Sequence, residues 1–165
     1  MKVLAEQDYS IRRASLDDLE IIVGHRRAMM REIRNTDEAL LEAMSEKFRP
    51  WLRSKLESDE YYGWLAIASD GSVAAGVGLW LLDWPASPVS IAPHRGYLLN
   101  VYTESAHRKQ GLARRLVQTA MDWCIENGVD VMSLHASQLG RPLYESLEFV
   151  ATNEMRLVLT KKTEV

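Results

Sequence analysis

Apolar positions along the chain change period several times, and each change marks an element. Tyr9 to Ala14 alternates weakly and reads as a short strand. Ser15 with Asp18 three residues on forms a capping-box start. Leu16, Leu19, Ile22 or Val23, Arg26, Met30 and Ile33 then recur at roughly helical spacing, until Asn35 and Thr36 interrupt the helix. Leu40, Leu41, Met44, Phe48, Trp51, Leu52 and Leu56 line one side of a second helix, which Pro50 is expected to end or kink.

Beyond it the rhythm shortens. "YYGWLAIAS" and "SVAAGVGLWLL" are apolar runs joined through Asp70 and Gly71, a turn pair that predicts two adjacent antiparallel strands. "DWPASPVSIAPHRG", with its three prolines, predicts a loop, and Tyr97 to Thr103 a further strand. After Gly111, Leu112, Leu116, Ala120, Trp123 and Cys124 recur at helical spacing until Asn127 and Gly128 stop the helix. The strand "VDVMSLHA", the short helix "RPLYESL" and the strands "FVATN" and "MRLVLT" complete the order. These elements amount to a mixed α/β (α+β) central sheet of about six to seven strands with about four helices. No repeat, low-complexity tract or Gly/Ser linker divides the sequence, so residues 1–165 are expected to form a single domain.

Composition sharpens this picture. A 47% hydrophobic content over 165 residues is enough for a substantial core without staples. The lone Cys124 excludes a disulfide framework and a Cys-rich zinc site, and it fits a reducing, cytoplasmic compartment. Its spacing from Leu116 and Ala120 places it on the apolar stripe of its helix. "MKVLAEQDYSIRR" carries acids and no long apolar core, so it does not read as a signal peptide, and the apolar run Val73 to Leu82 is too short to span a bilayer. No membrane association is expected. His25, His94, His107 and His135 are scattered without ligand spacing, so no metal is expected. A net charge of -3 argues against general nucleic-acid binding while permitting a local basic site.

Such a site exists in "NVYTESAHRKQGLARRL". His107, Arg108 and Lys109 precede Gly111, and Arg114 and Arg115 follow it, at the positive end of a helix where cations are unfavourable. The first-turn N–H groups of a helix have no intrahelical acceptor. With small residues Gly111 and Ala113 beside them, they make a site for a phosphate or pyrophosphate. A solvated cluster costing a few tenths of a kcal/mol per charge accounts for the composition equally well, so composition alone leaves both readings open. The segment is not a P-loop and not a dinucleotide fingerprint, since neither "GxxxxGK[ST]" nor "GxGxxG" occurs in it.

"RKQGLA", directly after a strand and opening a helix, resembles the coenzyme A motif of the GNAT family of acyl-CoA-dependent N-acetyltransferases: Arg108, Gly111 and Ala113 stand at its three signature positions. "LYESLEF" resembles the family's second motif at the expected distance, and the resemblance extends over about Tyr9 to Leu159. It implies helices on both faces of the sheet and acetyl-CoA as co-substrate. It also implies that the amides around Lys109, Gln110, Gly111, Leu112, Ala113 and Arg114 bind the pyrophosphate, supported by Arg108. The backbone of Val101, Tyr102 and Thr103 would pair with the pantetheine arm as an added strand pairs with an edge. Ser137 stands where the family often has a coenzyme-contacting polar residue. Ser105 and Glu148 depart from the pattern, which commonly has proline and glycine there. Glu148 in a left-handed turn is expected to cost about 1 kcal/mol.

Acetyl transfer to an amine needs a deprotonated nucleophile, a stabilised oxyanion and a proton for the leaving thiolate. The resemblance gives Tyr144 the general-acid role, and a phenol is a plausible donor to a thiolate. A strand places Asn100, Tyr102 and Glu104 on one face, so Glu104 could act as base through water, although an exposed carboxylate offsetting Arg108 explains it as well. Asp83 and Glu32 are weaker candidates. Trp80 and Trp84 flank Asp83 near the expected acceptor mouth, and Arg27, Arg31 or Glu32 on the first helix could touch the acceptor; a packed core for the tryptophans and an exposed amphipathic face for the helix residues are the simpler readings.

The leading expectation is an N-acetyltransferase moving acetyl directly to a primary amine of a small-molecule or peptide acceptor in a ternary complex. A non-catalytic acetyl-CoA sensor is the alternative. Homodimers are common on this scaffold, yet nothing in the sequence marks an interface.

Overall fold

A computed structural model describes residues 8–34 and 36–160. The chain divides into two compact units after His135. In the first, strand β1 (Ser10–Arg13) leads into a 3-10 turn whose Ser15 and Asp18 make the expected reciprocal capping box. Asp18 is buried and takes a bidentate ion pair from Arg12 at 2.8 Å, which lowers its carboxyl below the usual range. Helices α1 (Leu19–Arg34) and α2 (Glu38–Glu57) follow. Asn35, half of the expected break between them, lies outside the described residues; Thr36 falls between the helices as expected.

Strands β2 (Tyr61–Ile67), β3 (Val73–Asp83) and β4 (His94–Thr103) form an antiparallel meander, and β5 (Met132–Leu134) adds in parallel beside β4. The sheet order is β1-β2-β3-β4-β5. The Asp70 to Gly71 turn forms where expected, with Gly71 at φ +84° and the Asp70 carboxylate accepting from Ser72. β4 begins at His94 rather than Tyr97, because His94 and Arg95 pair with Asp83 and Leu82 and prolong the ladder into the proline loop.

Alternation along the strands gives the sheet two apolar faces. Tyr61 and Leu65 of β2 pack with Leu19, Ile22 and Val23 of α1 and Phe48 and Leu52 of α2. On the opposite face lies α3 (Leu112–Glu126), whose Leu112, Leu116, Val117, Ala120 and Cys124 are buried and whose Trp123 ring sits 4.2 Å from that of Tyr62. The close fit is visible at Gly96, where an added Cβ would meet Cys124 Sγ at 3.3 Å. Each fully buried leucine here is worth about 1.5–3 kcal/mol. Burial also raises the Cys124 thiol to about 11, leaving it an inert packing residue, as its spacing suggested.

Two sequence expectations need correction. Of the two effects expected of Pro50, ending the helix does not occur: α2 runs on to Glu57. The proline lies on the exposed side, while Phe48 and Leu52 are anchored in the core. The sheet has five strands, not six to seven, because 149–153 and 155–160 form none among the described residues. Their alternation satisfies β-propensity, but a strand exists only through ladder bonds to a neighbour, and Val150, Met155, Leu157, Val158 and Leu159 stand exposed.

In the second unit, α4 (Arg141–Ser146) carries proline in its first turn and is the short helix expected there. Glu148 adopts φ +68°, the left-handed turn foreseen for it, and the Phe149 N–H donates to the Tyr144 carbonyl at 3.0 Å.

Candidate active site

β4 is irregular at the point where the resemblance placed its functional backbone. Its register to β3 passes from Leu99↔Gly78 to Tyr102↔Gly76, so β4 carries one residue more than its partner over that interval. Such a bulge bends a strand and re-aims its side chains. Asn100 sits in it at φ +55°, buried to 4% exposure. Its side chain accepts from Arg26 Nη1 at 2.8 Å and donates to the Tyr61 hydroxyl at 3.0 Å. Tyr61 is fully buried, and desolvation raises its phenol to about 12. It fits because β3 has glycine opposite: a Cβ at Gly78 would collide with the Tyr61 hydroxyl.

One turn of strand further on, Tyr102 and Glu104 follow Asn100 on the same face, as the alternation predicted, and α1 brings His25 to meet them. His25 Nε2 lies 3.4 Å from Glu104 Oε1, and its ring centroid 5.1 Å from that of Tyr102. The ring fits against Gly76, where an added Cβ would stand 3.0 Å from His25 Nδ1. Burial pushes the His25 pKa down and the Glu104 charge pulls weakly the other way, so the imidazole is neutral at neutral pH.

Glu104 leads through a 3-10 turn, Ser105–His107, into the basic loop. Arg108 turns back: its Nε donates to the Thr103 carbonyl at 3.0 Å and its Nη2 to both oxygens of Glu32, at 2.7 and 2.8 Å. Arg115 Nη2 donates to the Tyr9 carbonyl at 3.0 Å, and His107 Nδ1 lies 2.9 Å from the Tyr9 hydroxyl. Arg108, Arg115 and His107 are thus engaged in holding the basic segment to its surroundings. Lys109 and Gln110 are exposed, Lys109 at φ +62°.

Gly111 caps α3 in the left-handed conformation, φ +74°, with no side chain satisfying the first-turn amides. The N–H groups of Leu112 and Ala113 therefore point forward without a helical acceptor. Nothing lies within 4 Å of where a Gly111 Cβ would stand, so the approach is open. Orphan amides, a positive dipole end and open space suit the pyrophosphate of coenzyme A.

The remaining candidates have other surroundings. Arg27 pairs with Glu38 at 2.9 Å and with Glu42, and Arg31 with Glu38 at 2.6 Å, so both clasp α1 to α2. Glu32 is held by Arg108. Asp83 pairs with His94 at 3.3 Å, and Trp84 is covered by the Arg95 guanidinium at 3.9 Å. Trp80 packs edge-on against Trp51 at 5.0 Å. In the second unit, Ser137 Oγ accepts from the Gly140 N–H at 3.1 Å, and Tyr144 lies edge-on to Phe149, its hydroxyl raised to about 12 by burial. Among the described residues there is no cluster of metal-ligating side chains and no helix long and apolar enough to cross a membrane.

Sequence reasoning missed His25, Arg26 and Tyr61. The signal for Arg26 was present, since it falls on the apolar stripe of the first helix. Gly76 and Gly78, two apart on one strand, signal close approach on one face, and that face receives His25 and Tyr61.

Residues 27–149 match the model of the family described as Acetyltransferase (GNAT) family. Among solved structures, a GCN5-related N-acetyltransferase from Ralstonia eutropha JMP134 is 35% identical, with 92% of this chain and 99% of that one covered and a TM-score of 0.87. A predicted acetyltransferase from Clostridium acetobutylicum, solved with acetyl-CoA, shares the fold at 23% identity and TM-score 0.81, covering 92% and 96%. A ribosomal-protein-alanine N-acetyltransferase from Brucella melitensis biovar Abortus 2308 does so at 18% and 0.67, covering 93% and 100%. The comparison with curated proteins gave no match. A family model spanning three quarters of the sequence and a 35% identical relative matched over nearly its full length agree with the open helix terminus behind "RKQGLA", and the chain belongs to the GNAT family of acetyl-CoA-dependent acetyltransferases.

Proposed function

We propose that the protein is an N-acetyltransferase that transfers acetyl directly to a primary amine in a ternary complex. When bound, acetyl-CoA supplies the acetyl group as a thioester. The amides of Lys109 to Arg114 hold its pyrophosphate, and the backbone of Val101, Tyr102 and Thr103, splayed by the bulge, lies along its pantetheine arm. A backbone N–H at that strand end polarises the thioester oxygen. Arg108 orients the loop through Thr103 and Glu32 while lending positive charge, and Ser137 contacts the coenzyme.

Glu104 is the general base. An aliphatic amine, with a pKa of about 10, is mostly protonated at neutral pH and must lose a proton before it attacks. Glu104 takes it through water. His25, neutral because buried, stands beside the carboxylate without cancelling its charge. Tyr144 is the general acid: a phenol raised by burial stays protonated through neutral pH and can donate to the departing sulfur. An acid of this kind is typically worth about 10² to 10⁴ in rate.

The observation that carries the reading is the uncapped, left-handed start of α3 at Gly111. Calorimetry with coenzyme A tests it. Replacing Gly111 and Ala113 together by valine should abolish binding while circular dichroism stays native; unchanged affinity refutes the coenzyme site. A thiol-release assay across an amine panel then separates an enzyme from a sensor. Tyr144→Phe should lower kcat by roughly 10² or more without changing coenzyme A affinity. Full activity in that variant assigns the proton to another donor.

A further inference from the structure

Most guanidinium groups on and around the first helix have a carboxylate. Arg27 and Arg31 share Glu38, Arg49 takes Glu20 at 2.7 Å, and Arg108 takes Glu32. Arg26 does not. It is half-buried, its Nη1 reaches only the neutral Asn100 amide, and its Nε is enclosed without a partner. Its guanidinium lies 4.7 Å from the centroid of the Phe48 ring. Phe48 stacks on Trp51 at 5.6 Å, and Trp51 meets Trp80 and Tyr61 edge-on at 5.0 and 6.3 Å. A cation on an aromatic floor with no counter-ion is an expensive arrangement, because desolvation is not offset by a charge partner and arginine does not escape by losing its proton. Arg95, whose Nε is likewise buried and unpartnered, differs in covering the exposed Trp84.

The position matters as much as the charge. Asn100, which receives the Arg26 hydrogen bond, immediately precedes Val101 to Thr103, where the acetyl group is to be presented. Glu104, the proposed base, follows on the same face. An anion at Arg26 would therefore stand beside the reacting amine. A single guanidinium at this position suits a carboxylate, which it can bind bidentately; a phosphate would call for several further donors.

We propose that the acceptor is a small amine bearing a carboxylate, held by Arg26 with its apolar body against Trp51 and Trp80. This rests on the acetyl-transfer reading above and adds the substrate class to it.

The test compares matched acceptors by thiol release: each free amino acid against its carboxamide and its decarboxylated amine, for example phenylalanine, phenylalaninamide and phenethylamine. At least one free amino acid should be used with kcat/KM 10- to 100-fold above both relatives. In Arg26→Gln that preference should vanish through a rise in KM for the acid, with partial recovery in Arg26→Lys and unchanged acetyl-CoA affinity by calorimetry. If neutral amines are acetylated as well as the acids, or Arg26→Gln slows both classes alike, the carboxylate assignment is wrong and the acetyltransferase reading stands. If acetyl-CoA binds and no amine of any class releases thiol, the acetyl-transfer reading falls and takes this assignment with it. Should Arg26→Gln fail to fold, the comparison of acceptors in the unaltered protein decides alone.

Discussion

Asn100 is an L-residue in the left-handed region, where the backbone alone costs roughly 1–2 kcal/mol for most side chains. Asparagine tolerates that region better, and here its amide also answers two buried groups, Arg26 and Tyr61. The two contributions are separable. Asn100→Gly keeps the backbone relaxed and removes the side-chain bonds, leaving the Tyr61 hydroxyl and the Arg26 N–H unpaired at about 1–3 kcal/mol. Asn100→Ala adds the conformational penalty. Denaturant melts should rank stability as unaltered protein, then glycine, then alanine; an alanine variant as stable as the glycine one would mean that the bulge relaxes. None of this could be read beforehand. The alternation placed Asn100, Tyr102 and Glu104 on a common face correctly, yet the bulge depends on how β4 registers against β3, and His25 and Arg26 arrive from an element 74 residues upstream of Asn100. The motif Arg108, Gly111 and Ala113 was legible because its chemistry is local: a turn, a helix start and their amides.

At the scale of elements, Pro50 within α2 makes an unusual demand. Inside a helix, proline is about 3 kcal/mol worse than alanine, though part of that returns through a stiffer unfolded chain. Because Pro50 is exposed within the helix, Pro50→Ala should stabilise the protein by roughly 1–2 kcal/mol in equilibrium unfolding. A destabilised variant would mean that the proline shapes α2 around Trp51. The longer helices were legible because apolar spacing fixes them: α1, α2 and α3 all lie where that spacing put them. The last two strands were misjudged for the complementary reason. A helix bonds to itself, whereas a strand needs a neighbour that alternation cannot supply.

Across the whole molecule, charge is arranged as local clasps on an acidic chain. The one at Glu38 joins α1 to α2, and two arginines hold its carboxyl down to about 2 from an ordinary 4.5. A depressed carboxylate stabilises the fold above the unfolded value and loses that contribution as pH falls toward the folded one. The clasp should therefore weaken between about pH 4.5 and 2. Melting temperatures of the unaltered protein and Glu38→Gln should differ at pH 6, converge by pH 2, and approach one another in high salt, since these groups are exposed. A gap that persists at pH 2 would show that Glu38 acts through packing instead.

The two β3 glycines carry a longer consequence. Beside them the sheet is built by subtraction: the space one strand leaves vacant is filled by rings from α1 and β2. A single methyl group at Gly78 would meet Tyr61 directly, and through it would displace the Asn100 amide and then Arg26, the group proposed to hold the acceptor. With Arg26 in the proposed role, variation at this position would alter what the enzyme accepts from behind the site, so that closely similar active-site surfaces could serve different acceptors.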